Sequence, residues 1–329
     1  MNLIKIQNKY ILPDIQGKPL IITVGMFDGV HRGHRYFISK MKETAQNNSL
    51  VPVIITMHPH PSEILSGTEF RYLTTLVEKQ ELIHQLGIKY VLVLKTSISL
   101  MQKSAVEFLE ALKSENLNIN MIAMGYNNSF GNPNKDNLNT LPETIKPAIY
   151  TVDALSENIN STQVRKKLRA GDVTAATDML GHPYMVYGKV VEGNKLGRTI
   201  GFPTANIQVS SVEKMIPATG VYAVRCNVGG RNFPGMINIG YRPTLREKTK
   251  KLVLEVHVPG ETLNIYNQEV KIEFCEKIRD EKRFSDMQAL KVQLEKDENF
   301  IKSYFIGNLA NSNTNDSTKA RWHDSTKER

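Results

Sequence analysis

Two histidines stand three residues apart in a glycine-rich stretch near the beginning of the chain. The stretch follows an apolar run and leads into a helical pattern, so His31 and His34 are both expected at a helix N-terminus, where free N–H groups and the helix dipole favour phosphate. Imidazole donors at that place can stabilise charge that develops on an α-phosphate and on a departing pyrophosphate, without a covalent intermediate. A glycine-rich turn whose histidines only cap a helix is the alternative. The stretch reads Gly25-Met26-Phe27-Asp28-Gly29-Val30-His31-Arg32-Gly33-His34.

A second group of phosphate-binding side chains lies at the beginning of a later predicted helix. Ser161 and Thr162 provide two hydroxyls, and Arg165 follows about one turn further on. Hydroxyls and backbone N–H groups bind phosphate oxygens, and a guanidinium can bind a triphosphate through two hydrogen bonds. Taken alone, the segment is equally an N-cap with a surface arginine.

The segment 193–206 combines glycines, basic residues and neutral oxygen ligands. Its glycines permit close approach of the backbone to a nucleotide, and its basic residues supply positive charge. These are Gly193, Lys195, Gly197, Arg198 and Gly201. Thr204 and Asn206 stand two apart, so an extended backbone places both oxygens on one face, which suits a Mg²⁺ ion that carries phosphate.

Glu255 is a candidate general base on a predicted strand. Leu252, Leu254, Val256 and Val258 share one face of that strand, and Glu255 falls on the other. A carboxylate on a mostly apolar strand can face a cleft and accept the proton of a hydroxyl during phosphoryl transfer. A solvated strand residue is the alternative.

The elements that must position these residues differ between the two halves of the chain. The first half alternates apolar runs with helical patterns, two of which begin with capping boxes at Thr75-x-x-Glu78 and Ser104-x-x-Glu107. This order predicts an α/β fold, a doubly wound, Rossmann-like parallel sheet with ligands at the carboxyl ends of its strands. The predicted strands are Leu20–Val24, Val51–Met57, Tyr90–Leu94, Met121–Met124 and Ile149–Val152.

Two short helices, 161–170 and 172–180, precede a hinge at His182-Pro183, and short strands separated by turns follow. The strands predict a small antiparallel β-barrel. A last helix is expected to begin at a capping box, Ser285-x-x-Gln288, and to end near Phe305. The predicted domains are 1–183 and 184–305, followed by a disordered polar tail over 306–329. The predicted barrel strands are Met185–Val191, Val221–Val228, Leu252–Val258 and Val270–Phe274.

Composition restricts the class of protein. The chain has 329 residues, a formal charge of +9 and two cysteines, and its basic residues are dispersed. Phosphate-rich small substrates explain such a charge, and nucleic acid remains open on charge alone, without a recognition motif. Without a signal-peptide pattern or a bilayer-length apolar run, we expect a cytoplasmic enzyme of small-molecule substrates. We expect no nucleic-acid or membrane partner, and a monomer or weak homo-oligomer.

The His-x-Gly-His and Ser-Thr-x-x-Arg motifs resemble those of the nucleotidylyltransferase superfamily. The wider sequence, from about residue 18 to 305, resembles one family closely, the bacterial bifunctional riboflavin kinase/FMN adenylyltransferases, also called FAD synthetases. The shared stretches are 25–31, His58-Pro59-His60-Pro61, Leu73-Thr74-Thr75-Leu76 leading to Lys79, and Gly201-Phe202-Pro203-Thr204-Ala205-Asn206.

The resemblance implies two ATP sites and assigns residues to each. In the adenylyltransferase site it implies His31, His34 and Arg165 as catalytic residues, with ATP contacts from Gly25, Phe27, Asp28, Gly33, Asn127, Ser161 and Thr162. In the kinase site it implies ATP contacts from Gly193, Lys195, Gly197, Arg198, Gly201 and Pro203, Mg²⁺ at Thr204 and Asn206, and Glu255 as the base. The segment 240–244 matches a loop near the active site, and Arg279 and Phe284 are either flavin contacts or packing residues.

The expected function is phosphorylation of riboflavin to FMN by ATP, followed by adenylylation of FMN to FAD with release of pyrophosphate. ATP, riboflavin, FMN and FAD are then substrates or products, and Mg²⁺ the cofactor. Met26 and Asn128 depart from the family pattern, and the stretch 131–160 is short by about two helical turns. These departures leave the alternative of a riboflavin kinase with a non-adenylylating N-terminal domain. A non-catalytic flavin-binding protein is a separate alternative.

Overall fold

The computed structural model describes residues 3–4, 15–67, 69–125, 131–132, 147–153, 155–156, 158–191, 200–243, 250–260 and 267–312. Contacts between residues divide the chain into two compact units. Unit 1 comprises Met1–Arg165, Met179–His182 and Glu213–Met215, and unit 2 comprises Lys166–Asp178, Pro183–Val212 and Ile216–Arg329.

Unit 1 contains a six-stranded sheet in the order β1-β4-β3-β2-β5-β6. Strands β2 to β6 are parallel, and β1 pairs antiparallel with β4 at one edge. The strands are β1 (Leu3–Ile4), β2 (Leu20–Val24), β3 (Val51–His58), β4 (Tyr90–Lys95), β5 (Ile119–Gly125) and β6 (Ala148–Val152). The predicted parallel sheet is confirmed, with each of its five strands found.

The helices in chain order are α1 (Arg32–Asn47), α2 (Pro61–Ser66), α3 (Leu76–Gln85), α4 (Ile98–Met101), α5 (Ala105–Lys113), α6 (Ser161–Arg169), α7 (Val173–Leu180) and α8 (Met287–Ser312). Capping boxes begin α3 and α5 as predicted, because Thr75 and Ser104 each exchange hydrogen bonds with the glutamate three residues later. Phe108, Leu109 and Leu112 of α5 are buried against the sheet. No helix in the described part of the chain combines the length and apolar character that a membrane span requires.

Unit 2 contains a closed barrel in the order β10-β11-β8-β7-β12-β9, with every neighbouring pair antiparallel. Its strands are β7 (Tyr184–Val191), β8 (Ala205–Val209), β9 (Gly220–Val228), β10 (Arg231–Pro243), β11 (Lys250–His257) and β12 (Glu269–Arg279). The barrel prediction is confirmed. Closure leaves no strand edge unpaired, so the register of each strand is set by two neighbours.

The last helix differs from its prediction at both ends. The predicted capping box at Ser285 is wrong, because the cap is Asp286, whose carboxylate accepts a hydrogen bond from the Ala289 N–H at 2.8 Å. An aspartate is as good an N-cap as a serine. The helix continues to Ser312, about two turns beyond Phe305. The rest of the predicted tail, 313–329, lies outside the described residues.

Candidate functional site

The loop between β2 and α1 carries backbone strain. Phe27 and Val30 have φ angles of 48° and 42°. Positive φ is uncommon outside glycine and is least favourable for a β-branched residue such as valine. Both side chains are buried, so packing holds the loop in this conformation. Gly29 lies between them at φ 83°, where a Cβ atom would stand 2.9 Å from Leu73. Strain of this kind accumulates where a loop has a functional shape.

The two histidines of the loop form a stacked pair at the N-terminus of α1. Their ring centroids are 3.6 Å apart, and Nδ1 of His31 accepts a hydrogen bond from the His34 N–H at 3.4 Å. The neutral His31 ring therefore carries its proton on Nε2. Gly33 makes the stacking possible, because a Cβ atom there would lie 3.2 Å from the His31 ring.

Both imidazoles are held neutral near pH 7. Burial lowers the pKa of His31 to about 4, although the Asp28 carboxylate opposes the shift. Burial also lowers the pKa of His34 well below its usual value, and the nearby His31 and Lys79 lower it further. The pair can therefore donate hydrogen bonds to a phosphate oxygen but brings no positive charge of its own.

Asp28 connects the histidine loop to the Ser-Thr-x-x-Arg motif. Its buried carboxylate accepts hydrogen bonds from the N–H groups of Leu73 and Thr74 at 3.1 and 3.0 Å, and it forms an ion pair with Arg165. The Ser161 hydroxyl donates to the backbone carbonyl of Asp28 at 2.8 Å. The structure thus brings His31, Asp28, Ser161 and Arg165 together, and their joint role in binding phosphate stays a prediction.

The guanidinium of Arg165 has further partners. Its Nε donates to the Arg71 carbonyl at 3.2 Å, and it lies over the Phe70 ring at 4.5 Å. Thr162, on the first turn of α6, is exposed. Phe27 packs against His34, with the ring centroids 5.1 Å apart, and its contact with ATP stays a prediction.

Lys79 is a member of this site that motif analysis left without a role. It is 1% exposed, and its ammonium donates to the Met26 carbonyl at 2.7 Å and to the Thr56 hydroxyl at 3.2 Å. Lys79, Leu82 and Ile83 are three and four residues apart, so helical periodicity already placed this lysine on the buried face of α3.

In unit 2, strand register brings Glu255 to the expected metal ligands. Glu255 of β11 is directly opposite Asn206 of β8, and on its other side it is opposite Asn238 of β10. Residues directly opposite each other in an antiparallel pair have Cβ atoms about 4.5–5.5 Å apart. Thr204 comes immediately before β8 and, like Asn206 and Glu255, is partly buried. A carboxylate and two neutral oxygen donors therefore share one region of the barrel wall.

His257 attaches the Gly-Phe-Pro-Thr segment to β11, and no sequence motif predicts this contact. Its Nδ1 is 2.8 Å from the Pro203 carbonyl, which can only accept, so the neutral ring carries its proton on Nδ1. Its ring lies 5.3 Å from that of Phe202. The segment that leads to Thr204 is thereby held at the barrel.

The remaining predicted residues divide into two groups. Arg279 forms an ion pair with the buried Asp297 of α8 at 2.8 Å, and its guanidinium is 5.8 Å from the Phe284 ring. Its role as a flavin contact stays a prediction. Predicted residues outside the described part of the chain are Asn127, Asn128, Gly193, Lys195, Gly197, Arg198 and Thr244.

A doubly wound sheet with paired histidines, joined to a barrel with an acidic residue opposite an asparagine, defines a class of two-unit nucleotide enzymes. The family model described as FAD synthetase matches residues 15–166, and that described as riboflavin kinase matches residues 180–305. The chain belongs to the family of bifunctional riboflavin kinase/FMN adenylyltransferases.

Individual relatives agree with this assignment. The bifunctional riboflavin kinase/FMN adenylyltransferase of Bacillus subtilis (strain 168) is 34% identical over 304 residues, which cover 90% of this chain and 95% of the relative. The protein of that description from Escherichia coli (strain K12) is 31% identical over 293 residues, which cover 87% and 92%. A crystal structure described as a macrolide-efflux protein from Streptococcus pneumoniae has a TM-score of 0.80 and 27% identity, and the match covers 88% of this chain and 96% of that one.

Proposed function

We propose that this protein makes FMN from riboflavin and ATP in unit 2, and FAD from FMN and a second ATP in unit 1. The observation that carries the proposal is the register of β8 and β11, which sets the Glu255 carboxylate opposite Asn206. Family membership covers both halves of the chain and supports both reactions.

In the kinase reaction, the terminal hydroxyl of the ribityl chain attacks the γ-phosphorus of ATP. A new P–O bond forms, the bond to the β-phosphate oxygen breaks, and ADP leaves. Glu255 accepts the proton of the attacking hydroxyl. Its partly buried position beside β8 and β10 places the carboxylate on the strand face that carries Asn206.

The donor set in unit 2 fits a Mg²⁺ ion. Thr204 and Asn206 provide two neutral oxygens, and ATP provides charged ones, which matches the preference of Mg²⁺ for few protein ligands together with phosphates and waters. When bound, the ion neutralises charge on the phosphates. The contact between His257 and Pro203 holds the segment from which both ligands extend.

In the adenylyltransferase reaction, a phosphate oxygen of FMN attacks the α-phosphorus of ATP. The new P–O bond replaces the bond to pyrophosphate, which leaves. The neutral imidazoles of His31 and His34 donate hydrogen bonds to the phosphates, and the N-terminus of α1 lies beside them. Asp28 and Arg165 keep the loop and α6 in place.

The departure from the family at Met26 leaves this arrangement intact. What the loop uses at this position is the backbone carbonyl, which accepts hydrogen bonds from Lys79 and from Thr56 at 3.1 Å. Any side chain at position 26 provides that carbonyl. The observation favours an active adenylyltransferase over a degenerate one.

We also propose that the protein lies in the reducing cytoplasm. The formal charge of +9 suits small anionic substrates, which its positive field attracts. Cys226 and Cys275 are free thiols on β9 and β12, and burial raises the pKa of Cys275 to about 11. Such thiols are poor nucleophiles and suit a compartment without disulfide formation.

A crossed pair of variants tests the division of the two activities. We expect Glu255→Gln to lower FMN formation from riboflavin by about 10²–10⁴-fold, because it removes the base. FAD formation from added FMN should be unchanged. His34→Asn should do the reverse, with FAD formation reduced about 10²-fold or more. Both rates are measured by chromatography of the flavins.

Glu269→Gln serves as the control, because Glu269 is an exposed glutamate on β12, a strand of the same barrel that does not pair with β11. Wild-type rates of FMN formation in Glu255→Gln would overturn the assignment of the base. Wild-type protein that accumulates FMN without FAD would restore the alternative of a degenerate adenylyltransferase.

A further inference from the structure

Lys79 is a buried cation with no directly bonded anion among the described residues. Its side chain is 1% exposed, and within the part of the chain that the structure describes it forms no salt bridge. Its hydrogen bonds go to two neutral oxygens, the Met26 carbonyl and the Thr56 hydroxyl. Burial of a charge without a paired anion costs several kcal/mol. A hydrophobic residue at this position of α3 would avoid that cost, so the ammonium requires another explanation.

The Met26 carbonyl oxygen, to which Lys79 donates, lies at the first residue before the strained part of the loop. The Met26 carbonyl accepts from Lys79 at 2.7 Å and from the Thr56 hydroxyl at 3.1 Å. The next residue, Phe27, already has a positive φ angle. The path from Met26 to His31 thus begins at an atom that is fixed by two donors from β3 and α3.

The charge of Lys79 also reaches the histidine pair. It lowers the pKa of His34 and of His60, and the Asp28 carboxylate partly offsets the effect of burial on the lysine itself. The imidazoles are neutral, and Arg165 is paired with Asp28. The ammonium below the loop is therefore a source of positive potential close to the place where phosphates are expected.

We propose that Lys79 is a positioning residue of the adenylyltransferase site, which fixes the loop through the Met26 carbonyl and supplies, from beneath it, positive potential toward the reacting phosphates. The proposal rests on the assignment of the His31–His34 loop as the phosphate site. The substrate that benefits is the triphosphate of ATP, whose α-phosphate gains negative charge as pyrophosphate departs.

The first test replaces the charge. We expect Lys79→Met to lower kcat for FAD formation from FMN about tenfold or more, which is less than the loss from removal of a direct donor. FMN formation by the same protein should remain at the wild-type rate, and the unfolding temperature of unit 1 should stay above the assay temperature, which shows that unit 1 is folded. Lys18→Met is the control, because Lys18 is exposed before β2.

The second test uses pH, which a merely structural role would not affect. Burial lowers the pKa of Lys79 to about 8, with Asp28, His34 and His60 as the charged or titratable groups that face it. We expect kcat/KM for FAD formation to fall above about pH 8 in the wild-type protein, since the neutral amine lacks the charge. Lys79→Arg keeps its charge and should lose this decline.

Each outcome decides the proposal. Wild-type kcat in a folded Lys79→Met protein would sink it, as would an unchanged alkaline decline in Lys79→Arg. Equal loss of both activities in Lys79→Met, with a lowered unfolding temperature, would make the lysine structural only. If Lys79→Met does not fold, Lys79→Arg and Thr56→Val remain as tests of the charge and of the second donor.

His34→Asn distinguishes this proposal from the site assignment. Loss of FAD formation in His34→Asn but not in Lys79→Met contradicts the role of the lysine alone. Wild-type FAD formation in both variants contradicts the phosphate site itself.

Discussion

Burial sets the protonation states of the titratable residues in the proposed adenylyltransferase site. His31 and His34 lose their tendency to be charged, and Lys79 remains a cation near neutral pH with a pKa lowered to about 8. In the proposed mechanism the motif therefore works through neutral donors, and the positive charge comes from residues outside it. The Asp28 carboxylate has a structural part in this site, because it holds the loop through the N–H groups of Leu73 and Thr74 and through Arg165.

At this scale we predict a loss of stability in mild acid. The folded-state pKa of His31 is lowered to about 4 from 6.5, so the unfolded state binds more protons between these values. Stability is then present above pH 6.5 and is lost as the pH falls toward 4, by roughly 3 kcal/mol from this residue. Scanning calorimetry between pH 7 and 4.5 should show a falling midpoint for unit 1.

The variant His31→Asn should flatten that dependence, since asparagine caps a helix but does not titrate. His84→Asn is the matched control, because His84 is exposed near the end of α3. An acid profile in His31→Asn as steep as in the wild-type protein would contradict the prediction.

In unit 2, the pairing of strands positions the candidate site residues relative to one another. The register of β11 aligns Glu255 with Asn206, and a slip of one residue would turn the carboxylate to the opposite face. Helix α8 supports the barrel through Ile301 and Phe305, which are buried in one cluster with Phe202. Phe202 belongs to the segment that precedes Thr204, the proposed metal ligand, so the cluster also supports that segment.

The ion pair between Arg279 and Asp297 should matter for the attachment of α8. Asp297 is 1% exposed and accepts hydrogen bonds from Arg279 and Gln293. We expect Asp297→Asn to lower the free energy of unfolding of unit 2 by about 3 kcal/mol, because the partly buried Arg279 guanidinium loses its charged partner. Denaturant unfolding followed by circular dichroism measures the change.

The neighbouring pair Glu298–Lys302 on the same helix provides the control. Its lysine is about half exposed, so Glu298→Gln should change stability by less than about 1 kcal/mol. Equal effects of the two substitutions would show that burial of Asp297 is not what stabilises the helix.

The two compact units of the structure do not have the same boundaries along the chain as the two family matches. Residues 213–215 lie within the riboflavin kinase match but belong to unit 1 by their contacts. There Lys214 donates to the Leu73 carbonyl at 2.5 Å and to Glu78 at 2.7 Å, with both charged side chains fully buried. The Leu73 N–H in turn donates to Asp28, so this segment supports the histidine loop.

We therefore predict that Lys214→Met impairs FAD formation although it is numbered within the kinase half. Loss of the cation leaves Glu78 buried and without its ion pair, which costs about 3–5 kcal/mol. The unfolding temperature of unit 1 should fall, and FAD formation at 37 °C should fall with it. Lys189→Met, at an exposed position of β7, is the control. Loss of FMN formation alone would contradict the prediction.

The sequence by itself determined the elements and motifs that depend on neighbours in the chain. Apolar periodicity located β2 to β6, and capping boxes located α3 and α5, because these signals extend over a few residues. The family, the fold class and the bifunctional activity followed from motifs whose strings are contiguous. The domain boundaries and the role of each site residue remain predictions.

Strand β10 was missed because its own glycines and prolines are typical of turns, and β8 because it has five residues and directly follows the Gly-Phe-Pro segment. In β10, the neighbouring strand leaves no room for a side chain at Gly235, because a Cβ atom there would stand 2.8 Å from the His257 carbonyl. Only the paired strand reveals why glycine is required there.

Tertiary structure alone decided which charged residues are buried and what they hold. Lys79 and Met26 are 53 positions apart, Glu78 and Lys214 are 136 apart, and Asp28 and Arg165 are 137 apart. From residue type alone, charged side chains such as these are expected on the surface, because an unpaired charge is costly inside a protein. Their burial is tolerated because partners from distant parts of the chain satisfy them, and no local pattern encodes where those partners will be.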